Sequence, residues 1–242
     1  MKFKIFVIIP AFNEEKTISW VLERVPKIDN YEIKTMVIDD GSTDRTAKIA
    51  EHHGAIVIQN EKNLGLGQTM LKGLEEALER EADIIISLDA DGQYDPFEIP
   101  KMLKGFEYYK KQGVDLILGT RLRNIEFRFN SLNKLGNILI SKLVSFFISR
   151  ATPISDTQAG FRVVSKELAQ ILVKKMRGKY TYTQEMIIHA KFNNYNIAEV
   201  PIHFYQRRGG ESRLVKNPMI YLLKVIVICA KTYLNYKITR QN

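Results

Sequence analysis

Two aspartates separated by one residue, Asp89 and Asp91, follow the apolar run Ile84–Leu88 and precede Gly92. On extended backbone, carboxylates two residues apart point the same way, and a hard divalent cation takes oxygen ligands in that arrangement. Mg2+ keeps several waters and shares its shell with substrate phosphates, so few protein ligands suffice. Many D-x-D pairs are solvated turn residues; the apolar run before this one and the glycine after it strengthen the metal reading beside that one.

A second acidic cluster, Asp39-Asp40-Gly41-Ser42-Thr43-Asp44, ends another apolar run. It reads in two ways. It can be a strand–turn–helix start with Ser42 or Thr43 as N-cap. Alternatively, Asp39 accepts hydrogen bonds from a nucleobase edge or a ribose, as acidic residues do at this place in dinucleotide folds. Asn63-Leu64-Gly65-Leu66-Gly67 can approach a ligand closely. It lacks the third glycine of G-x-G-x-x-G and the Lys and Ser/Thr of a P-loop, which excludes dehydrogenase and P-loop NTPase readings.

The elements that must position these residues alternate. Strand-like runs at Phe3–Ile9, Lys34–Ile38, Ala55–Ile58, Asp83–Leu88 and Val114–Leu118 are separated by helix-like stretches. Those stretches lie near Glu14–Val25, Asp44–His53, Gly67–Glu81 and Pro96–Gln112. The alternation predicts an α/β domain with a mostly parallel sheet and right-handed crossovers, its strands buried on both faces. Pro10-Ala11-Phe12-Asn13-Glu14, the Asp39–Asp44 cluster and the Asp89–Gln93 segment then sit at three strand ends, where open α/β sheets bind ligands.

The second half is less regular. An amphipathic helix is expected over 130–150, then a loop Asp156-Thr157-Gln158-Ala159-Gly160-Phe161-Arg162 and helices near Lys166–Lys175 and Thr183–Phe192. A short strand at Ile197–Pro201 leads to a basic loop, Arg207-Arg208-Gly209-Gly210-Glu211-Ser212-Arg213. Pro218–Tyr236 reads as a last helix carrying a polar stripe of Asn217, Lys224, Lys231 and Asn235. Its apolar stretch is too interrupted to span a bilayer; it suits a membrane interface or the cover of a protein core.

Charge is divided along the chain. Of 242 residues, 36 are Lys or Arg and 27 Asp or Glu, a net +9. Residues 1–120 hold 15 basic and 21 acidic side chains, whereas residues 121–242 hold 21 and 6. That split suggests a cation-dependent site in the first half and an anionic partner for the second. An apolar share of 45% and a charged share of 26% are those of a globular protein. One cysteine and an adjacent histidine pair argue against disulfides and a zinc centre. The N-terminal stretch reads as no signal peptide. No nucleic-acid-binding motif accompanies the basic character, so no nucleic-acid partner is expected.

In order, Phe6–Glu14, Val37–Asp44, Asn63–Gly67 and Leu88–Gln93 resemble the motifs of family 2 glycosyltransferases. Gly119-Thr120-Arg121, Asp156–Arg162 and Arg207–Arg213 are similar to the polyprenyl-phosphate branch, that of the dolichol-phosphate mannosyltransferases. The resemblance implies a GT-A (Rossmann-like) fold over a single domain, 1–242. Its nucleotide-sugar and metal half would be 1–120, its acceptor half 121–215 and an amphipathic C-terminal helix 216–242. It implies Mg2+ or Mn2+, a nucleotide-sugar donor of GDP-mannose or UDP-glucose type, and inverting transfer of a hexose to a polyprenyl (dolichyl) phosphate.

Carried over by residue, Pro10, Phe12 and Glu14 match the nucleotide pocket, with Phe12 in place of a Tyr. Val37 and Asp39 match base-binding positions. Asp89, Ala90, Asp91 and Gln93 match the metal and diphosphate segment, with Asp89, Asp91 and Gln93 toward the metal. Arg121 matches a phosphate-binding arginine and Arg128 is the candidate for a second. Arg207 and Arg213 match basic positions of a loop over the site.

A phosphate monoester is largely ionised near neutrality, with a second pKa of about 6, and attacks without a strong base. A hydroxyl acceptor would need one, and Asp156 is the carboxylate available for it, unless it serves instead as a capping or turn residue. A long isoprenoid acceptor places the enzyme at the cytoplasmic face of a membrane. There it binds through amphipathic helices and lysines, or a separate small membrane protein anchors it. Two alternatives stand beside this reading: a family 2 transferase using a sugar hydroxyl or a glycolipid, and a non-catalytic nucleotide-sugar-binding scaffold.

Overall fold

The structure, a computed structural model, describes residues 2–121, 131–148, 154–178, 181–209 and 218–241. Arg128, Asn217 and the end of the basic loop from 210 to 213, Arg213 included, lie outside the described residues. In chain order the first half reads β1 (Phe3–Ala11), α1 (Ile18–Glu23), β2 (Tyr31–Asp39), α2 (Thr46–His52), β3 (Ile56–Gln59), α3 (Leu66–Glu79), β4 (Ile84–Ser87), α4 (Ile99–Lys110) and β5 (Val114–Thr120). Then come α5 (Ser131–Ile148), β6 (Arg162–Ser165), α6 (Lys166–Lys175), α7 (Tyr182–Phe192), β7 (Asn196–Pro201) and α8 (Pro218–Gln241).

The strands form one seven-stranded sheet in the order β3-β2-β1-β4-β6-β5-β7. All described pairings are parallel except those of β6, which runs antiparallel to β4 and β5. The fold is therefore a mostly parallel, Rossmann-like sheet with flanking helices, as the alternation predicts. In β1, Phe6 and Ile8 pack with Met36, Ile38, Met70 and Leu74 on one side, while Ile5, Val7 and Ile9 pack with Ile18, Met102 and Phe106 on the other. Apolar residues at both parities of one strand are what two covered faces require.

Three expectations are corrected. The helix after β1 is only Ile18–Glu23, because Asn13 has φ 53° and Glu14 opens a turn whose carbonyl accepts from Thr17 and Ile18. Neither Ser42 nor Thr43 caps α2; its N-cap is Arg45, and Asp44 Oδ1 accepts from the Thr46 amide at 2.9 Å. Residues 156–162 do not remain loop to the end, since Arg162 begins β6. That strand is four residues long and opens on a buried charge, so it shows no period that would mark it.

The last helix covers the core and also faces outward. Val225, Cys229 and Thr232 are buried, and Phe192 stacks on Tyr236 at 4.6 Å. Leu223, Val227 and Leu234 are 59%, 50% and 55% exposed, with Lys224 and Lys231 exposed among them. Among the described residues no helix is long and apolar enough to cross a membrane.

Candidate active site

Strand order reverses beside β1, where β2 lies on one side and β4 on the other. That is the position at which α/β sheets open a ligand crevice. Register aligns its floor: Ala11 pairs with Asp39, and Asp39 with Gln59. The loops beyond are tied together. The Asn13 amide donates to Ser42 Oγ at 2.8 Å, the Glu14 amide to Thr46 Oγ1 at 2.8 Å, and the Thr43 amide to Asn13 Oδ1 at 2.8 Å.

Asp39 is buried, and its Oδ1 accepts from the Ser42 amide at 3.1 Å and from Ser42 Oγ, while Gln59 Nε2 donates to Oδ2 at 3.3 Å. Val37 and Pro10 are buried below it, and Phe12 is half-buried. Asp40, from the same acidic cluster, builds the next loop. Its carboxylate accepts from the Leu64 and Gly65 amides at 2.8 and 2.9 Å and from Asn60 Nδ2 at 2.9 Å. Gly41 (φ +74°) is needed there, because a Cβ would lie 2.7 Å from the Lys62 carbonyl carbon.

Asp89 and Asp91 leave β4 together, with Ala90 buried between them. Burial, then the charge of Asp91, pushes Asp89 up to about 7, although Arg121, Arg162 and Arg207 pull it down. Burial also raises Asp91. Two crowded carboxylates facing a crevice form a hard oxygen donor set that a divalent cation would relieve. Among the described residues no group of three or more His, Cys, Asp or Glu gathers, so the pair would leave most of a cation's shell to other oxygens. Gln93 joins the turn to its neighbour: its Nε2 donates to the Tyr205 carbonyl at 3.2 Å, and its backbone amide to Asp91 Oδ1 at 3.0 Å.

The basic side meets these acids directly. Arg207 pairs with Glu14, and its Nη1 lies 3.5 Å from Asp91 Oδ2. Its segment is bound to the D-x-D turn by backbone: the Tyr205 amide donates to the Gln93 carbonyl at 2.8 Å, beside a Tyr94–Phe204 bridge. Arg121, at the end of β5, is held in a two-pronged pair with Asp156, Nε to Oδ2 at 2.7 Å and Nη2 to Oδ1 at 2.9 Å. Asp156 is wholly buried; against the cost of burial, Arg121 holds its carboxyl below the usual range. Its oxygens also accept from the Arg121 and Gln158 amides. Asp156 is thus an anion held on several sides by donors, Arg121 foremost.

Arg162, Tyr94 and Ser87 complete the support. Arg162 is wholly buried and donates to the carbonyls of Ala159, Thr157 and Thr183 at 2.8, 3.0 and 2.7 Å, bracing the 156–160 turn. Tyr94 Oη accepts from the Gly160 amide at 3.0 Å and Ser87 Oγ donates to the Gly160 carbonyl at 2.7 Å, fixing that turn against Asp89. An arginine before Val-Val-Ser carries no mark of such burial.

A model of Glycosyl transferase family 2 matches residues 6–172. The chain belongs to that family. This family 2 glycosyltransferase is 34% identical over 218 residues to a UDP-N-acetylglucosamine–dolichyl-phosphate N-acetylglucosaminyltransferase of Methanococcus voltae, covering 82% of this chain and 84% of the relative. It is 30% identical over 208 residues to a dolichyl-phosphate hexose transferase of Haloferax volcanii, covering 86% and 85%. A glucosyl-3-phosphoglycerate synthase of Mycobacterium tuberculosis, crystallised with Mn2+, UDP and glucosyl-3-phosphoglycerate, superposes with TM-score 0.73 at 20% identity. The overlay takes in 94% of this glycosyltransferase and 80% of that chain, a likeness of GT-A fold.

Proposed function

We propose that this glycosyltransferase moves a sugar, with inversion, from a nucleotide-sugar to a polyprenyl phosphate of the dolichyl type. The observation that carries the reading is the pair Arg121–Asp156. In it the acceptor-side carboxylate is spent on fixing a cation, which suits an acceptor that is already an anion. The names of the Methanococcus and Haloferax relatives support the acceptor, and the Mn2+ and UDP of the Mycobacterium structure support a metal-dependent nucleotide.

Asp89 and Asp91 would hold Mg2+ or Mn2+, which when bound neutralises the leaving diphosphate. Phe12 and Asp39, with Pro10 and Val37 buried behind them, would receive the base, and Asp39 offers it a carboxylate preset by Ser42. Ala90, buried between the two aspartates, would border the diphosphate, and Gln93 ties the turn to the Tyr205 segment. Arg121 and Arg207 supply positive charge at the crevice, with Arg128 and Arg213 as further candidates from sequence. Glu14 holds Arg207 in place. Arginine's planar fork matches phosphate oxygens in pairs and stays charged. The acceptor phosphate, aligned by these cations, attacks the anomeric carbon, and the bond to the diphosphate breaks as the new one forms. No proton need leave an ionised acceptor.

The exposed Leu223, Val227 and Leu234 with Lys224 and Lys231 support contact with an anionic membrane surface. The test is a thermal-shift screen of UDP, GDP and their sugars with Mn2+, followed by product analysis in detergent. Transfer from the stabilising donor to dolichyl phosphate is expected. Transfer to a sugar hydroxyl and none to dolichyl phosphate would overturn the acceptor.

A further inference from the structure

The single tryptophan of the chain, Trp20, stands on α1, outside both the D-x-D turn and the basic loop, yet it meets both. The Arg208 guanidinium lies 3.9 Å from the Trp20 ring centroid. A Cβ placed on Gly92 would lie 2.9 Å from Arg208 Cδ and 3.4 Å from Trp20 Cε3, so ring, turn and loop converge at one point. The ring is itself held. Arg24 sits 4.8 Å from its centroid and 4.0 Å from that of Phe97. Arg24 is fixed in turn by Asp95, Nε to Oδ1 at 3.0 Å and Nη2 to Oδ2 at 2.6 Å.

We propose that Trp20 is a positioning residue for the transfer: it seats Arg208, and through that seat sets Arg207 against Asp91 and Glu14. This rests on the reading of the crevice as the transfer site. The backbone bond from the Arg208 amide to the Asp91 carbonyl is long, 3.4 Å, so it holds this end of the segment weakly. Stacking of a guanidinium on an indole supplies the missing hold without consuming its N–H donors. Arg207 then has a fixed neighbour, and its side chain reaches across the crevice to Glu14. The same ring borders Gly92, so the seat keeps the metal-ligating turn and the cation above it in one register.

Hydrogen exchange on the full chain without ligand tests the seat. Trp20→Ala should speed exchange of the 204–209 amides by about fivefold, the order of one cation–π contact, with β1 and β4 unchanged. Trp20→Phe should restore most of the protection, and Arg208→Ala, which leaves α1 intact, should reproduce the loss. In steady state with the donor chosen by the thermal screen, Trp20→Ala should lower kcat while the donor KM stays within about twofold, with recovery in Trp20→Phe. Unchanged exchange at 204–209 in both alanine variants would overturn the proposal, as would faster exchange with wild-type kcat. A wild-type enzyme inactive on dolichyl phosphate would count against the acceptor alone, and the exchange comparison would still decide the seat.

Discussion

Gly160 and Asp89 are in contact so close that no side chain fits between them: a Cβ on Gly160 would lie 2.5 Å from Asp89 Oδ2 and 2.6 Å from Oδ1. The D-x-D turn of the first half and the Asp156–Arg162 motif of the second meet at this point. Gly160→Ala should therefore displace the Asp89 carboxylate. We expect a stability loss of about 1–3 kcal/mol, as for overpacking elsewhere, together with weaker Mn2+ binding by calorimetry. Wild-type Mn2+ affinity in a folded Gly160→Ala would show that Asp89 does not meet the metal.

Nucleotide affinity should depend on both a divalent cation and Asp91. Titrating the donor with and without Mn2+, into wild type and Asp91→Asn, should show loss of about tenfold or more when either is removed. Equal affinity in all four conditions would remove the metal from the site.

The Arg121–Asp156 pair sets an acid limit on stability. A carboxyl held below its unfolded value contributes stability above the unfolded pKa, and that contribution is lost as pH falls through the folded pKa. At pH 7, Asp156→Asn should cost about 3 kcal/mol, the order of breaking a buried pair. The gap to wild type should narrow below about pH 4, near the ordinary carboxyl pKa. Urea unfolding at several pH values measures it, and a gap independent of pH would contradict the pairing.

Arg207→Ala should damage turnover with the lipid acceptor by about tenfold or more, the worth of a charge-assisted phosphate contact, and change binding of the nucleotide alone much less. Wild-type turnover at subsaturating acceptor would show that Arg207 is not needed. Arg213→Ala makes the same prediction from sequence.

Vesicles containing anionic lipid should bind the protein, and binding should weaken with salt over a Debye length. Eight basic residues against one acidic residue in 205–242 supply the attraction. Leu223→Glu with Val227→Glu, both exposed, should release the protein from vesicles while leaving circular dichroism unchanged. Val225→Glu, on the buried face of α8, should instead unfold that helix from the core. Undiminished sedimentation of the Leu223/Val227 variant would take this face out of membrane contact.

The sequence by itself determined the parallel half of the fold and the identity of the acidic strand ends. Buried parallel strands are continuous apolar runs, and the polar clusters that follow them, at Glu14, Asp39 and Asp89–Asp91, are local and ordered. The family motifs were legible for the same reason. The tertiary structure alone decided what those groups do to one another. Asp156 and Arg121 are 35 residues apart in the chain, and only the packing of the 154–160 turn against the end of β5 makes them a fixed pair. That packing makes Asp156 the counter-ion of Arg121. Likewise β6 is a strand only because β4 and β5 stand on either side to receive it, and Trp20 meets Arg208 only because α1 and the segment after β7 converge at Gly92. Period and spacing report a residue's own element; contact across elements is set by how those elements pack, and no local pattern records it.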